Sequence, residues 1–316
     1  MSDKHQLQKL NLTEKTPASF FSGAGIGLTE EGKKLLLEKD YELVQKSKDN
    51  DARILSPEKI NTKQLFYGEE LKKQIDFLQK SLTNEQFKKL QKKLQEKSLP
   101  NGVAAIFYGA PGTGKTETAL QIAKATGRKI FHVDISATKT CWYGESEKLV
   151  KKIFTDYKKI CKKEKQKPIL LFNEADAVFG KRREDIHGSV DQTDNTIQNI
   201  LLEEMEKLNG IMIATTNLAD NLDDAFERRF LFKVKFDKPS IEAKQNIWKN
   251  KLPALNDDDC LKLSQKFDFS GGEIDNIVRK FTMKEILEDS EPTYELIENL
   301  CLNERLNKKG HKKVGY

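Results

Sequence analysis

The sequence is poor in the residues that build metal cages, disulfide frameworks and membrane spans. Its 316 residues include four cysteines and four histidines. Cys141, Cys161, Cys260 and Cys301 lie far apart and form no Cys-x-x-Cys pair, which argues against a zinc site or a disulfide scaffold and for a reducing compartment. His5, His132, His187 and His311 are scattered, and no His-Glu-x-x-His string occurs. No apolar run approaches the ~18 residues that span a bilayer, and the polar start Met1-Ser-Asp-Lys-His-Gln lacks the core of a signal peptide. The expectation is a cytoplasmic protein without membrane contact. A strong excess of one charge is also missing. The net charge of +6 is left over from 55 basic and 49 acidic side chains, so most lysines are expected among carboxylates on solvated helix faces, and nucleic acid is not the expected partner.

The apolar content of 37% and charged content of 33% fit a helix-rich chain with a buried core and a highly charged surface. Residues 1 to about 22 are polar with little periodicity and read as a tail, and Gly23-Ala-Gly-Ile-Gly27 reads as a flexible turn. Residues 29–44 have a helical pattern with Thr29 as cap, and Ile54-Leu-Ser-Pro57 reads as a short extended piece. From Glu69 to Lys97 apolar residues recur at helical spacing. Strand and helix then alternate. The strands are expected at Ala104–Tyr108, Ile130–Asp134, Ile169–Asn173, Ile211–Thr215 and Leu231–Phe236, the helices at about 115–126, 145–163, 193–208 and 222–228. Such alternation calls for a parallel sheet covered on both faces, here five-stranded. Beyond Pro239 the pattern is helical at about 240–250, 257–267, 272–289 and 293–306. The division expected is an N-terminal segment over 1–60, an α/β nucleotide-binding part over 61–239 and a helical lid over 240–316.

The strongest chemical signal is Gly109-Ala-Pro-Gly-Thr-Gly-Lys-Thr116, which matches Gly-x-x-x-x-Gly-Lys-[Ser/Thr] at every fixed position and sits between an apolar strand and a helix. Gly109, Gly112 and Gly114 let backbone N–H groups turn inward around phosphates, with Pro111 and Thr113 in the same binding loop, at the positive end of the following helix. Lys115 brings a charge to the β- and γ-phosphates, and the Thr116 hydroxyl is a Mg²⁺ ligand. The implied ligands are ATP and Mg²⁺. Lys167-Pro-Ile-Leu-Leu-Phe-Asn-Glu174 is a second apolar strand ending in polar residues. Where an Asp commonly helps to hold Mg²⁺, this chain has Asn173, which keeps an oxygen and loses the charge. Glu174 is the natural base for an attacking water.

On these two stretches the chain from about Leu65 to Leu306 resembles the classical AAA+ ATPases, the group of katanin, spastin and the proteasomal ATPases. The Phe172-Asn-Glu-Ala-Asp176 string also resembles bacterial members. The resemblance implies further roles. Phe66-Tyr67-Gly68 is similar to the segment along the adenine pocket. Ile211-Met-Ile-Ala-Thr-Thr-Asn217 is similar to the sensor-1 strand, whose Asn helps to position the lytic water. Leu222-Asp-Asp-Ala-Phe-Glu-Arg-Arg229 is similar to the arginine-finger helix. Arg228 and Arg229 are adjacent where many relatives separate them, which leaves open which is the finger. Cys141-Trp-Tyr-Gly-Glu-Ser-Glu147 is similar to a pore loop, with Trp142 and Tyr143 in an exposed polar turn before a helix starting near Ser146. Arg182–Asp194 would be a second pore loop. Phe269-Ser-Gly-Gly-Glu-Ile-Asp-Asn276 is similar to the lid segment, with Gly272 close to nucleotide. Apart from the resemblance, Asp176 is expected to serve the helix start after Glu174.

The implied protein is an ATP-hydrolysing machine working as a homohexameric ring that remodels, unfolds or disassembles a protein substrate gripped at its pore. Two alternatives stay open: an assembly switch that hydrolyses weakly because of Asn173, and a nucleic-acid loader, for which the Lys-rich stretch Lys151–Lys167 would be the contact.

Overall fold

The computed structural model describes residues 13–16, 25–29, 53–134, 142–179, 189–217 and 222–304. The chain divides into two compact units, Met1–Ile54 and Leu55–Tyr316. In the first, β1 (Thr13–Thr16) pairs antiparallel with β2 (Gly25–Leu28), Thr13 opposite Leu28 and Thr16 opposite Gly25. The expected tail and the glycine-rich turn therefore give way to strands over these residues. Pairing supplies the backbone partners that a polar, non-alternating sequence does not advertise. The expected helix over 29–44 lies outside the described residues apart from Thr29.

The second unit opens on the end of a two-residue strand, β3 (Ile54–Leu55). Two helices follow, α1 (Glu69–Ser81) and α2 (Asn84–Glu96), in place of one continuous helical stretch. The break falls at Leu82-Thr83, where Leu82 is fully buried and the Thr83 hydroxyl donates to the Lys80 carbonyl. Then come β4 (Val103–Gly109), α3 (Lys115–Thr126), β5 (Ile130–Asp134), α4 (Trp142–Lys163), β6 (Ile169–Asn173), α5 (Asp176–Phe179), α6 (Ser189–Glu206), β7 (Ile211–Thr216), α7 (Asp224–Glu227) and β8 (Phe232–Phe236). The sheet has six strands in the order β3-β5-β6-β7-β4-β8, one more than expected, because the short β3 joins its edge. The other five pair in parallel. Parallel strands buried on both faces need continuous apolar runs, and β7 is buried at every residue. This order sets the carboxyl end of β4 between those of β7 and β8, and that of β6 beside β7, so the residues following these strands converge on one edge.

The chain closes with α8 (Ile241–Lys251), α9 (Asp257–Lys266), α10 (Gly271–Glu288) and α11 (Tyr294–Leu302). Each starts on a polar cap. Ser240, Asn256, Ser270 and Thr293 accept from the backbone of Ala243, Asp259, Glu273 and Leu296, and Ser270 and Glu273 form a reciprocal capping box. Such caps each contribute about 1 kcal/mol. The helices share a core of their own around Trp248, Phe269, Ile277 and Phe281, separate from the core under the sheet that holds Phe107, Ile213 and Phe236. Among the described residues no helix is long and apolar enough to cross a membrane.

Candidate active site

The loop between β4 and α3 is shaped by backbone geometry that only glycine satisfies well. Gly109 has φ +140°, and a Cβ there would lie 2.1 Å from the Phe236 carbonyl oxygen on neighbouring β8. Gly112 has φ +74°, and its Cβ would lie 2.7 Å from Ser270 Oγ. The second contact comes from the helical end of the chain. The Gly272 N–H donates to the Gly112 carbonyl at 2.9 Å, so the first turn of α10 rests on the loop. Between them lies a cavity of about 1090 Å³ lined by Tyr67, Gly112, Lys115, Glu174, Asn217 and Gly272 among others. Residues far apart in sequence thus face one space large enough for a nucleotide.

Lys115 opens α3 and is 7% exposed. Its ammonium donates to the carbonyls of Gly109 and Ala110, each at 2.8 Å. Burial lowers its pKa from the usual lysine value, and the Asp176 carboxylate opposes that shift. A buried ammonium whose hydrogen bonds among the described residues go to neutral carbonyls is poised to receive an anion. Tyr67 stands against α3, its hydroxyl 2.8 Å from Thr118 Oγ1 and its ring edge-on to Phe236. Burial raises the Tyr67 phenol to about 12, so it stays neutral. Gly68 caps α1 beside it, and no atom lies within 4 Å of where its Cβ would be. Thr113 closes the loop by donating to the Ala110 carbonyl at 2.8 Å.

At the carboxyl ends of β6 and β7 the side chains form a lattice. Asn173 Oδ1 accepts from Thr116 Oγ1 at 2.7 Å and from Thr215 Oγ1 at 2.9 Å. Thr215 Oγ1 in turn accepts from the Glu174 N–H at 3.2 Å. Glu174 is exposed and sits at φ +52°, a left-handed conformation costing a non-glycine residue about 1–2 kcal/mol. Asp176 does more than start α5. Its carboxylate accepts from the Thr216 hydroxyl and, at 2.8 Å, from the Asn217 N–H, tying the turn after β6 to the end of β7. Thr215 and Asp176 were not singled out for these roles by sequence. The visible signal is their placement, one each on the two strand ends that carry Glu174 and Asn217.

The oxygens of Thr116 and Asn173 meet at one point beside the phosphate loop. Mg²⁺ takes oxygen ligands and keeps waters and phosphate oxygens in its shell, so this pair fits an ion arriving with a nucleotide. Among the described residues no cluster of three or more His, Cys, Asp or Glu could hold a metal by itself.

Arg228 and Arg229 follow α7 and do not line the cavity. Arg228 is exposed and, among the described residues, its side chain reaches only the Asp224 carbonyl, at 3.3 Å. Arg229 is tied down, donating to the Ala225 carbonyl at 2.7 Å and to the Glu206 carboxylate. Trp142 and Tyr143 are the first residues of α4, which corrects the expected turn before a helix near Ser146. Their side chains lie outside the described residues. So do residues 182–188 of the second expected pore loop, including His187 and Gly188, whereas its remainder, from Ser189, is helical.

These features define a P-loop nucleotide-binding domain. Residues 105–238 match the model of the ATPase family associated with various cellular activities (AAA). Over these residues the chain carries an AAA ATPase domain similar to that of the classical, katanin-like proteins. It is 29% identical over 192 residues to cell division protein C of Sulfolobus acidocaldarius, covering 57% of this chain and 49% of that protein. It is 27% identical over 194 residues to the katanin p60 ATPase-containing subunit A1 of Strongylocentrotus purpuratus, covering 56% and 36%. The match thus spans less than half the length of these relatives. A crystal structure of the FIGL-1 AAA domain in complex with ADP superposes with a TM-score of 0.60 over 85% of this chain and 91% of that one, and at 18% identity this likeness is one of fold. The bacterial affiliation expected from Phe172–Asp176 is not supported, since matches of this strength come from organisms as different as these.

Proposed function

We propose that the chain binds ATP with Mg²⁺, hydrolyses it, and couples turnover to remodelling of a protein substrate within a ring of identical subunits. The observation that carries the reading is the convergence of Lys115, Glu174 and Asn217 on one cavity while Arg228 stands exposed outside it. Lys115 and the loop N–H groups neutralise the phosphates. Thr116 and Asn173 take the metal, whose contribution is charge neutralisation on the phosphate oxygens. Glu174 accepts the proton of the attacking water, and Asn217 holds that water in line. Arg228, exposed and outside the cavity, is the arginine we assign to a neighbour's cavity, and Arg229 braces the α7 turn through Glu206. The katanin-like relatives support a protein substrate, for which Trp142 and Tyr143 at the head of α4 are the proposed grip. We take residues 240–316 as a lid, since α10 touches the phosphate loop at Gly112, and end the N-terminal segment, expected to run over 1–60, at Ile54, where the chain divides into its two units. Cys161, Cys260 and Cys301 are free thiols, which fits a cytoplasmic protein.

Asn173 favours a second reading, in which the chain is an ATP-dependent assembly switch with weak hydrolysis. Mg²⁺-dependent turnover measured across protein concentration separates the two. Specific activity that climbs with concentration supports the ring, and its loss of substrate work, with ATPase retained, in Trp142→Ala supports the pore. Turnover that stays negligible while ATP still drives assembly supports the switch. Measurable turnover independent of concentration would remove the trans-acting arginine.

A further inference from the structure

Lysines of the described surface differ in whether a carboxylate faces them. Around the C-terminal helices they pair with carboxylates, as in Lys251–Asp275 at 2.9 Å, Lys266–Glu298 at 2.7 Å and Lys280–Glu304 at 2.5 Å. On α1 and α2 they do not. Lys80, Lys88, Lys89, Lys92 and Lys93 are all exposed, and among the described residues none of them has a carboxylate partner. Charge-balanced faces therefore do not account for this part of the surface.

Lys80, Lys89, Lys92 and Lys93 line one groove between α1 and α2, a cavity of about 830 Å³ in which the one acidic lining residue is Glu96. An aromatic ring shares it. Phe77 is 64% exposed and lines the groove with Leu90, although its ring reaches Phe232 at 6.0 Å between centroids. The wall is firm. Phe87 holds α2 down, buried beneath the Arg128 guanidinium at 5.0 Å and the Lys167 ammonium at 6.0 Å from its ring centre. No residue of the groove lines the nucleotide cavity.

We infer that this groove is a docking surface for an acidic polypeptide segment that carries an apolar side chain. A cleft lined by charge of one sign concentrates its field and draws an oppositely charged partner. Phe77 and Leu90 offer an apolar seat among the lysines, and Ser81, Thr83 and Gln86 supply hydrogen-bonding groups along the same walls. The composition favours polypeptide over nucleic acid. The groove contains no arginine and one ring, whereas nucleic-acid surfaces use arginine forks for base edges and successive rings for stacking.

The test uses the full chain and a fluorescein-labelled, glutamate-rich peptide with one central phenylalanine, followed by fluorescence anisotropy at low salt. The expected result is saturable binding that weakens steeply as salt rises. Combining Lys89→Glu, Lys92→Glu and Lys93→Glu weakens it at least about tenfold, as three pairwise attractions become repulsions. Phe77→Ser weakens it about threefold or more, and neither variant changes basal ATP turnover. The corresponding Lys→Gln triple variant gives the same ordering without charge reversal. The inference is overturned if the parent shows no saturable binding, or if binding is unaltered in both triple variants. An oligothymidylate that binds more tightly than the peptide, and is lost with the same substitutions, would replace the polypeptide by a nucleic acid and overturn it equally.

Discussion

The hydroxyl of Thr116 donates to the side-chain oxygen of Asn173 across 2.7 Å, joining the phosphate loop to the end of β6. The same oxygen accepts from Thr215, so the amide is held in one orientation. Asn173→Asp keeps the shape and adds a charge at that point. The Mg²⁺ concentration needed for half-maximal ATP turnover should fall about tenfold, equivalent to about 1.4 kcal/mol from one charge-assisted contact. Magnesium titrations of parent and variant at fixed ATP measure it. An unchanged requirement would take Asn173 out of the metal site.

Lys115 makes nucleotide binding depend on pH. In the free protein burial holds its pKa below the ordinary 10.5, while bound phosphates would raise it. Between those two values binding takes up a proton, so ATP affinity should fall as pH rises through the free-protein value, at lower pH than a surface lysine would give. The nucleotide-free fold has the opposite slope. Its unfolded state binds the proton more tightly, so stability rises with pH across the window between the lowered folded pKa and 10.5. Calorimetry in buffers of different ionisation enthalpy reads the proton uptake. Lys115→Ala should lose affinity about a hundredfold or more together with the proton linkage, and a variant that retained both would sink this assignment.

Much of this site was legible because its local chemistry agrees with its place in the fold. Gly109 to Thr116 reads as a phosphate loop, and the strands at Ile130–Asp134 and Ile169–Asn173 lie where their apolar runs predict. Other features come from contacts between distant residues. Thr13–Thr16 has no alternating pattern, and its strand exists through pairing with Gly25–Leu28. Gly144-Glu-Ser-Glu147 has the composition of a turn, yet it lies in the first turns of α4, whose apolar stripe begins later at Val150, Ile153 and Phe154. The Thr215 and Asp176 bonds depend on β6 lying beside β7, a neighbour relationship that composition does not reveal.

Glu174 combines a functional carboxylate with an unfavourable backbone, at φ +52°. Glu174→Gln preserves shape and should bind ATP normally while turnover falls about a hundredfold or more. Glu174→Gly also removes the carboxylate and relieves the left-handed conformation. It should be as inactive as the Gln variant yet about 1 kcal/mol more stable by denaturant unfolding. Parental turnover in Glu174→Gln would exclude Glu174 as the base.

The two adjacent arginines should separate by experiment. Among the described residues the Arg228 side chain makes one long contact, to the Asp224 carbonyl, whereas Arg229 is anchored to Ala225 and Glu206. Arg228→Ala should therefore lower turnover about a hundredfold or more with little change in melting temperature. Arg229→Ala should lower the melting temperature as well, since it removes the brace on the α7 turn. Mixing Arg228→Ala subunits with Glu174→Gln subunits should restore part of the activity, because each supplies what the other lacks. If mixing restores nothing, Arg228 does not act on a neighbour.

Asp176 is a positioning residue, and its effect should appear in rate more than in binding. Its carboxylate fixes Asn217 through that residue's backbone N–H and fixes Thr216 through its hydroxyl, so the side chain of Asn217 leaves the strand end in a set direction. Asp176→Ala frees both groups. With the phosphate loop untouched, the KM for ATP should change less than about threefold while kcat falls about ten- to a hundredfold, the pattern of an interaction needed only in the transition state. Asp176→Asn keeps one acceptor oxygen and should recover much of that loss, which separates the hydrogen bonds from the charge. The charge has its own readout. The Asp176 carboxylate raises the pKa of Lys115, so its removal in Asp176→Asn should shift the alkaline fall in ATP affinity to lower pH. A purely structural role would lower the melting temperature together with kcat and would not leave the KM for ATP apart from kcat. Parallel losses of kcat and stability in both variants would decide against positioning.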